Sequence, residues 1–328
     1  MKFRSGIHIV PFLIITAAYL ILLISCKKEA SSILPGLSTA PLTNVTSVSA
    51  DCGGIISSDG GDYISARGVC WDDKPDPTTN ASFTSDGAGA GSFSSKMTGL
   101  TGGTNYYVRA YATNSAGTSY GNEFIFITPV TDVEGNIYNT VTIGNQVWTT
   151  SNLKTTRLND NSPIPRIEDN SPWSSLHTSA YCWYKNDESS NKITYGALYN
   201  WYAVNTGKLC PYGWHVPDES EWAALTNYLG GEWVASGKLK EQGTVHWKSP
   251  NTGASNDYGF SALPGGYRTG LSSGLFYTRT YYGWWWSSTE ADSIGARARV
   301  MTYDASELVS GKGLKKNGYS VRCIKDYR

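Results

Sequence analysis

Cys210-Pro-Tyr-Gly-Trp-His-Val-Pro-Asp-Glu-Ser-Glu-Trp222 is the stretch on which the reading of this chain turns. Asp218 can accept a hydrogen bond from the unpaired backbone N–H groups that open a helix, and Glu221 can reach back to the cap residue. Asp-Glu-Ser-Glu is therefore a capping box. Pro217 restricts the entry, and a helix over 218–229 would place Trp222, Leu225 and Leu229 on one face. The stretch seats a helix against a core. It carries no evident reaction chemistry of its own.

Outward from it, Thr140 to Trp148 reads as a hairpin with Gly144-Asn145 at the tip, entered through the turn Gly135-Asn136-Ile137-Tyr138. The pattern predicts a second helical segment near 196–206, and late strands over Trp284–Ser287, Ala296–Tyr303 and Tyr319–Ile324. Helices early and strands at both ends predict an α+β domain over 132–328.

The motifs of this half come in a fixed order. They are Ile143-Gly-Asn-Gln-Val-Trp148, Asn152-Leu153, Tyr195-Gly-Ala-Leu-Tyr-Asn-Trp201, Cys210-Pro-x-Gly-Trp-His-Val-Pro217, Glu221-Trp222, Leu263-Pro-Gly-Gly-Tyr-Arg268, Trp286-Ser-Ser-Thr289 and Ser320-Val-Arg-Cys-Ile324. The series resembles the Fibrobacter succinogenes major paralogous domain of Bacteroidota lipoproteins and secreted proteins. That resemblance implies an envelope protein whose biochemical role is open. More distantly, the Pro-acid-Glu-Trp helix and the terminal Val-Arg-Cys resemble the formylglycine-generating-enzyme branch of the C-type-lectin-like fold. This second resemblance implies a loop-rich α+β body that holds its termini together.

Residues 42–128 alternate polar and apolar in short runs broken by Gly, Asp, Asn and Pro, which predicts an all-β sandwich. Tyr106, Val108, Ala110 and Ala112 fall on one face of a strand. With Leu100 and Thr104 before them, they resemble the corner strand of fibronectin type III domains, and Trp71 would lie in the core of that sandwich. The favoured role for this module is a spacer. Pro129 in Thr128-Pro-Val-Thr-Asp132 marks a boundary. Residues 27–41, rich in Ser, Pro and Ala, are expected to be a tether. Residues 1–26 have a basic start at Lys2 and Arg4, then an apolar run ending Leu23-Ile-Ser-Cys26. This resembles a lipoprotein signal peptide with its lipobox, and implies lipidation at Cys26; the alternative is a plain membrane anchor. Lys27 and Lys28 point to the outer membrane, with the face left open.

The bulk numbers restrict the partners. Lys plus Arg and Asp plus Glu are 27 each, so no basic surplus favours nucleic acid. Only 16% of residues are charged, against 12 Trp, 22 Tyr and 35 Gly, a composition that suits an exported, turn-rich protein.

With Cys26 assigned to lipid, five cysteines remain. The expected bridge is Cys210–Cys323, which would contribute on the order of 4 kcal/mol in the chain-entropy account. A second bridge, Cys52–Cys70, would join neighbouring sandwich strands, leaving Cys182 as a buried thiol. Formylglycine-generating relatives use an active-site cysteine pair with copper. Cys323 has no second cysteine nearby in sequence to copy that pair. His215 is read as a hydrogen-bonded structural residue, and His177 and His246 lack metal-ligand spacing. Ser255-Asn256-Asp257 is only a fragment of a lectin calcium motif. The loop carboxylates Asp187-Glu188 and Glu290-x-Asp292 could form a glycosidase pair, but such acids are more often solvated. No cofactor is expected.

Tyr281, Tyr282, Trp284 and Trp285 form the densest aromatic run. Alternation sends Trp285 opposite to Trp284 and Trp286. Either a loop covers that face or an exposed ring offers a platform for a sugar or protein. The resulting expectation is an envelope lipoprotein, held to the membrane by its lipid, whose last domain binds a glycan or protein without catalysis. The alternatives are a subunit of a surface appendage and an enzyme of the formylglycine-generating branch. A cleft gathering His215, a carboxylate and a free thiol would favour the enzyme.

Overall fold

The computed structural model describes residues 1–2, 31–271 and 273–326. Cys26 and the rest of the signal segment from residue 3 on lie outside the described residues. Among the described residues, no helix is long and apolar enough to cross a membrane.

Eight strands build the first module: β1 (Gly36–Thr39), β2 (Ser49–Ser58), β3 (Ala66–Asp72), β4 (Ser82–Phe83), β5 (Gly91–Thr98), β6 (Asn105–Asn114), β7 (Gly117–Tyr120) and β8 (Phe124–Ile127). One sheet runs β1-β2-β5; the other runs β4-β3-β6, with β7 and β8 both on the far edge of β6. All pairings are antiparallel, giving a fibronectin type III-like sandwich. Val69, Trp71 and Val108 meet Ala50, Cys52 and Met97 between the sheets, and Tyr106 packs against them. Ala110 and Ala112 are fully buried, as the alternation required.

Two expectations fail here. The tether does not reach residue 41, because Gly36–Thr39 is the sandwich's first strand. Thr39 is locked in place: its hydroxyl donates to Asn122 O and accepts from Ala110 N. Cys52 and Cys70 are free, buried thiols rather than a bridge. Cys52 lies in the core beside Trp71, whereas alternation turns Cys70 to the outer face of the other sheet. There its thiol donates to Pro77 O (3.3 Å).

The second module opens with β9 (Val130–Thr131), β10 (Ile137–Tyr138) and the hairpin β11 (Thr140–Ile143) and β12 (Gln146–Thr149). Gly144 turns that hairpin at φ +60°, a conformation glycine adopts without steric cost. A run of short elements follows: α1 (Asn170–Ser175), β13 (Tyr181–Cys182), α2 (Glu188–Asn191), β14 (Leu198–Tyr199), α3 (Trp201–Val204) and β15 (Trp214–His215). Next come α4 (Glu219–Tyr228), α5 (Glu232–Leu239), β16 (Tyr267–Arg268), β17 (Phe276–Tyr277), β18 (Tyr282–Glu290), β19 (Gly295–Thr302), β20 (Val309–Leu314) and β21 (Ile324–Lys325). The architecture is α+β and rich in loops.

The capping box on α4 is complete, with Asp218 accepting from Glu221 N and Glu221 accepting from Asp218 N. Trp222, Leu225 and Leu229 are fully buried. The helix expected near 196–206 shrinks to Trp201–Val204, because Leu198–Tyr199 pairs with β13 and Asn200 caps the turn after it. Tyr319–Ile324 is not one strand. It threads between neighbours, with Tyr319 bridging to Tyr199, Ser320 to Trp285, and Ile324 to Trp148 and His215. The sheet β11-β12-β21-β15 thus joins the beginning of the module to its end.

Candidate functional site

Three consecutive tryptophans in β18 resolve into two cores. Trp286 packs with Trp201, Trp214 and Tyr319 on one side, and half-buried Trp284 leans on the same cluster. Trp285 enters the opposite cluster with Trp148, Trp222 and Trp247. It is 0% exposed, and its indole N–H donates to Asn152 Oδ1 (2.9 Å). The strand is a wall with apolar packing on both faces, so Trp285 is removed from the proposed platform. An uninterrupted bulky apolar run signals two-sided burial, and that signal was present in the sequence.

What remains at the surface is narrower. Tyr281 is 39% exposed, with an edge-to-face contact to Tyr303 and the Lys248 ammonium over its ring. Tyr282 is half-buried. From Trp286 a chain of ring contacts, two tilted and two stacked, runs outward through Tyr319, Trp284 and Tyr267 to exposed Tyr277.

His215 sits on β15 between two carboxylates. Its Nε2 lies 2.8 Å from Glu221 Oε1 and its Nδ1 lies 2.5 Å from Asp326 Oδ1. The hydrogen bond to Glu221 is the main cause that lifts its pKa to about 9, so at neutral pH it is an imidazolium donating from both nitrogens. Glu221 serves this bond and the capping box together. The ring ties α4 to the end of the chain.

The thiol that an enzyme would need is absent from this cluster. Cys210 and Cys323 form a disulfide, with Cα atoms 5.9 Å apart and 113 residues between them in sequence. Cys323 therefore has a cysteine partner in space that its sequence neighbourhood lacked, but the bridge is enclosed. Cys182 is buried in a separate cluster with Trp173, Tyr184 and Leu198, and burial pushes its pKa up to about 12.

The other candidates are held in local structure. Asp187 caps α2, and Glu188 pairs with Arg166 and Lys192. Glu290 pairs with Lys315, and Asp292 with Lys312. His177 meets the Tyr202 hydroxyl and His246 meets Glu241. Asn256 accepts from Ser261 N. Among the described residues no three His, Cys, Asp or Glu side chains are grouped to hold a metal.

A concavity lies where the two modules meet, and the sequence did not point to it. It encloses about 900 Å³, lined by Asp73, Thr101 and Asn105 of the sandwich and by Tyr212, Trp214 and Asp326 of the second module. The joint behind it is close-fitting. Lys325 Nζ donates to Gly103 O (3.0 Å) and Thr104 Oγ1 (2.8 Å). Gly103, at φ +65°, lies flat on Trp214, whose Cζ2 would be 2.2 Å from any added Cβ. Thr140 Oγ1 donates to Thr128 O across the same junction.

Residues 141–325, more than half of the chain, match the Fibrobacter succinogenes major domain. The chain belongs to that family. Members of the Fibrobacter major domain family are therefore the frame for the second module. No curated protein matches the chain. Among solved structures, similar ones cover about 30% of the chain. A titin fragment shares 22% identity over 30% of this chain and 32% of its own, with a TM-score of 0.22. The present chain thus spans about a third of that fragment. The sensor domain of an anti-sigma factor from Pseudobacteroides cellulosolvens shares 13% over 29% of this chain and 93% of its own, at TM-score 0.23. A human fibronectin type III domain shares 11% over 28% and 72%, at 0.22. At such TM-scores the sandwich assignment rests on its own strand order.

Proposed function

We propose that the chain is a non-catalytic binding protein of the cell envelope, anchored to the outer membrane through lipid on Cys26. Its second module, read as C-type-lectin-like, takes a glycan or protein ligand. The observation that carries the reading is the contrast between closed chemistry and open surface. His215 is saturated by two carboxylates and Cys323 is bridged to Cys210, while an open cleft and exposed tyrosines face solvent. Rigidly held aromatic side chains beside polar groups suit recognition better than turnover.

The appendage alternative needs an open strand edge for donor pairing. The edge strand β20 carries Lys312 toward solvent, paired with Asp292, and a charged edge opposes strand addition.

Two measurements test the reading. Labelled palmitate should enter the wild-type chain in a bacterial host and not Cys26→Ala, which should leave the membrane fraction. The purified full chain should be captured by glycan or envelope-protein arrays while turning over none of the captured ligands. Equal labelling of the variant removes the anchor, and turnover of a captured ligand removes the non-catalytic assignment.

A further inference from the structure

We infer that the cleft between the two modules is an oligosaccharide site, with the Tyr212 ring as its stacking face. Asp73, Asn105 and Asp326 would accept hydrogen bonds from sugar hydroxyls. This deepens the binding reading above and rests on it.

Tyr212 is 84% exposed, yet its backbone is not free to wander. It stands between Pro211 and Gly213, two residues after Cys210, which a disulfide joins to Cys323. Two backbone bonds close the loop: Trp214 N to Pro211 O, and Asp326 N to Gly213 O. An aromatic side chain presented on a pinned loop at the lip of a cleft loses little entropy when a ring stacks on it. Trp214, two residues on, is buried and lines the same cleft.

The polar lining points to the ligand's charge. Among the described residues the Asp73 carboxylate has no hydrogen bond or ion pair, and Asp326 uses only Oδ1, on His215. Asn105 donates through Nδ2 to Thr142 Oγ1 (3.0 Å), which leaves its carbonyl oxygen as an acceptor. The lining cation is already taken: Lys325 is spent on Gly103 and Thr104. An anion would therefore meet two carboxylates and no available cation. A neutral polyol brings hydroxyl donors to each acceptor and an apolar ring face to Tyr212. The volume, about 900 Å³, lies toward the upper end of the roughly 300–1,000 Å³ typical of ligand pockets, with room for more than one ring. Since the lining comes from both modules, the sandwich becomes part of the binding surface rather than a spacer.

The test is calorimetry of the full chain with neutral hexasaccharides: cellohexaose, mannohexaose and an N-acetylglucosamine hexamer. A galacturonate hexamer and an oligolysine peptide complete the set. At least one neutral probe should bind. Tyr212→Ala should weaken it roughly fivefold to tenfold, while Tyr212→Phe, which keeps the ring, holds affinity within about twofold. Tyr281→Ala, outside the cleft lining, should leave it unchanged. Tyr212 is exposed, so these variants keep the fold. Loss in Tyr281→Ala with none in Tyr212→Ala overturns the cleft and leaves the binding reading standing. Binding of only the anionic or only the cationic probe, or of no neutral probe, also overturns the oligosaccharide assignment. The broader reading is then judged by its own array and turnover assays.

Discussion

The two modules solve the same problem by different means. In the sandwich, long ladders such as β2–β5 and β3–β6 satisfy the backbone, and side chains alternate between core and solvent. In the second module many strands are only two residues long, and the backbone is satisfied from a distance by buried cations. Arg322 donates to Thr149 O, Phe260 O, Ser261 O and Asn152 Oδ1. Arg268 ties Gly274 O to Ile167 O and Glu168 O while stacking on Trp173 and Phe276. Lys240 holds Thr252 O, Thr302 O and Ala305 O, and burial lowers its pKa to about 8. A loop-rich body keeps one conformation when side chains do the pairing that a sheet does elsewhere.

The largest effect should come from the one covalent brace. Replacing Cys210 and Cys323 together by Ser should destabilise the second module by about 4–5 kcal/mol. A reductant added to the wild type should lower that module's unfolding transition and spare the sandwich, whose two cysteines are already thiols. Calorimetric scans with and without reductant read this directly. A sandwich transition that falls equally would erase the contrast.

Next comes Arg322→Ala. Three carbonyls lose the Arg322 guanidinium in a fully buried site, Asn152 Oδ1 keeps only the Trp285 indole N–H, and a cavity opens; about 3–4 kcal/mol should be lost in urea unfolding. In the sandwich, Asp86→Ala should cost roughly 1 kcal/mol, since that carboxylate accepts only from the Thr84 and Ser95 hydroxyls. Equal costs would mean that the second module does not depend on buried donors.

The smallest effect depends on pH. His215 has a folded pKa of about 9, above the ordinary value of 6.5. Its contribution is thus fully present below about pH 6.5 and lost as pH rises through about 9. The imidazole is 38% exposed, so solvent screening keeps the contribution near roughly 1 kcal/mol. The stability difference between wild type and His215→Gln should shrink from pH 6 to pH 10. A constant difference would show that the ring acts by packing alone.

Legibility in the sequence followed the same division. Period-two alternation in 105–114 placed Val108, Ala110 and Ala112 inside, because a strand's faces are set by local geometry. Asp218 and Glu221 announced the start of α4 for the same reason, since a cap acts within one turn. Asn200 sits in a segment that reads as helix, yet its side chain starts the helix later by bonding to Ala203 N. The short helix α5 went unread, with neither a side-chain cap nor a strong apolar stripe to mark it. Cys70 and Cys52 looked like a pair only because their spacing does not tell which face of which sheet each occupies.

By itself, then, the sequence determined the order of the modules, the family motifs and the capped helix. These depend on neighbours within a turn or on motifs kept in register. Only the tertiary structure decided which residues wall in Trp285, that His215 is held between Glu221 and Asp326, and that Tyr212 stands at a cleft. Each of these depends on residues brought together from distant parts of the chain, and no local period encodes which partners will arrive.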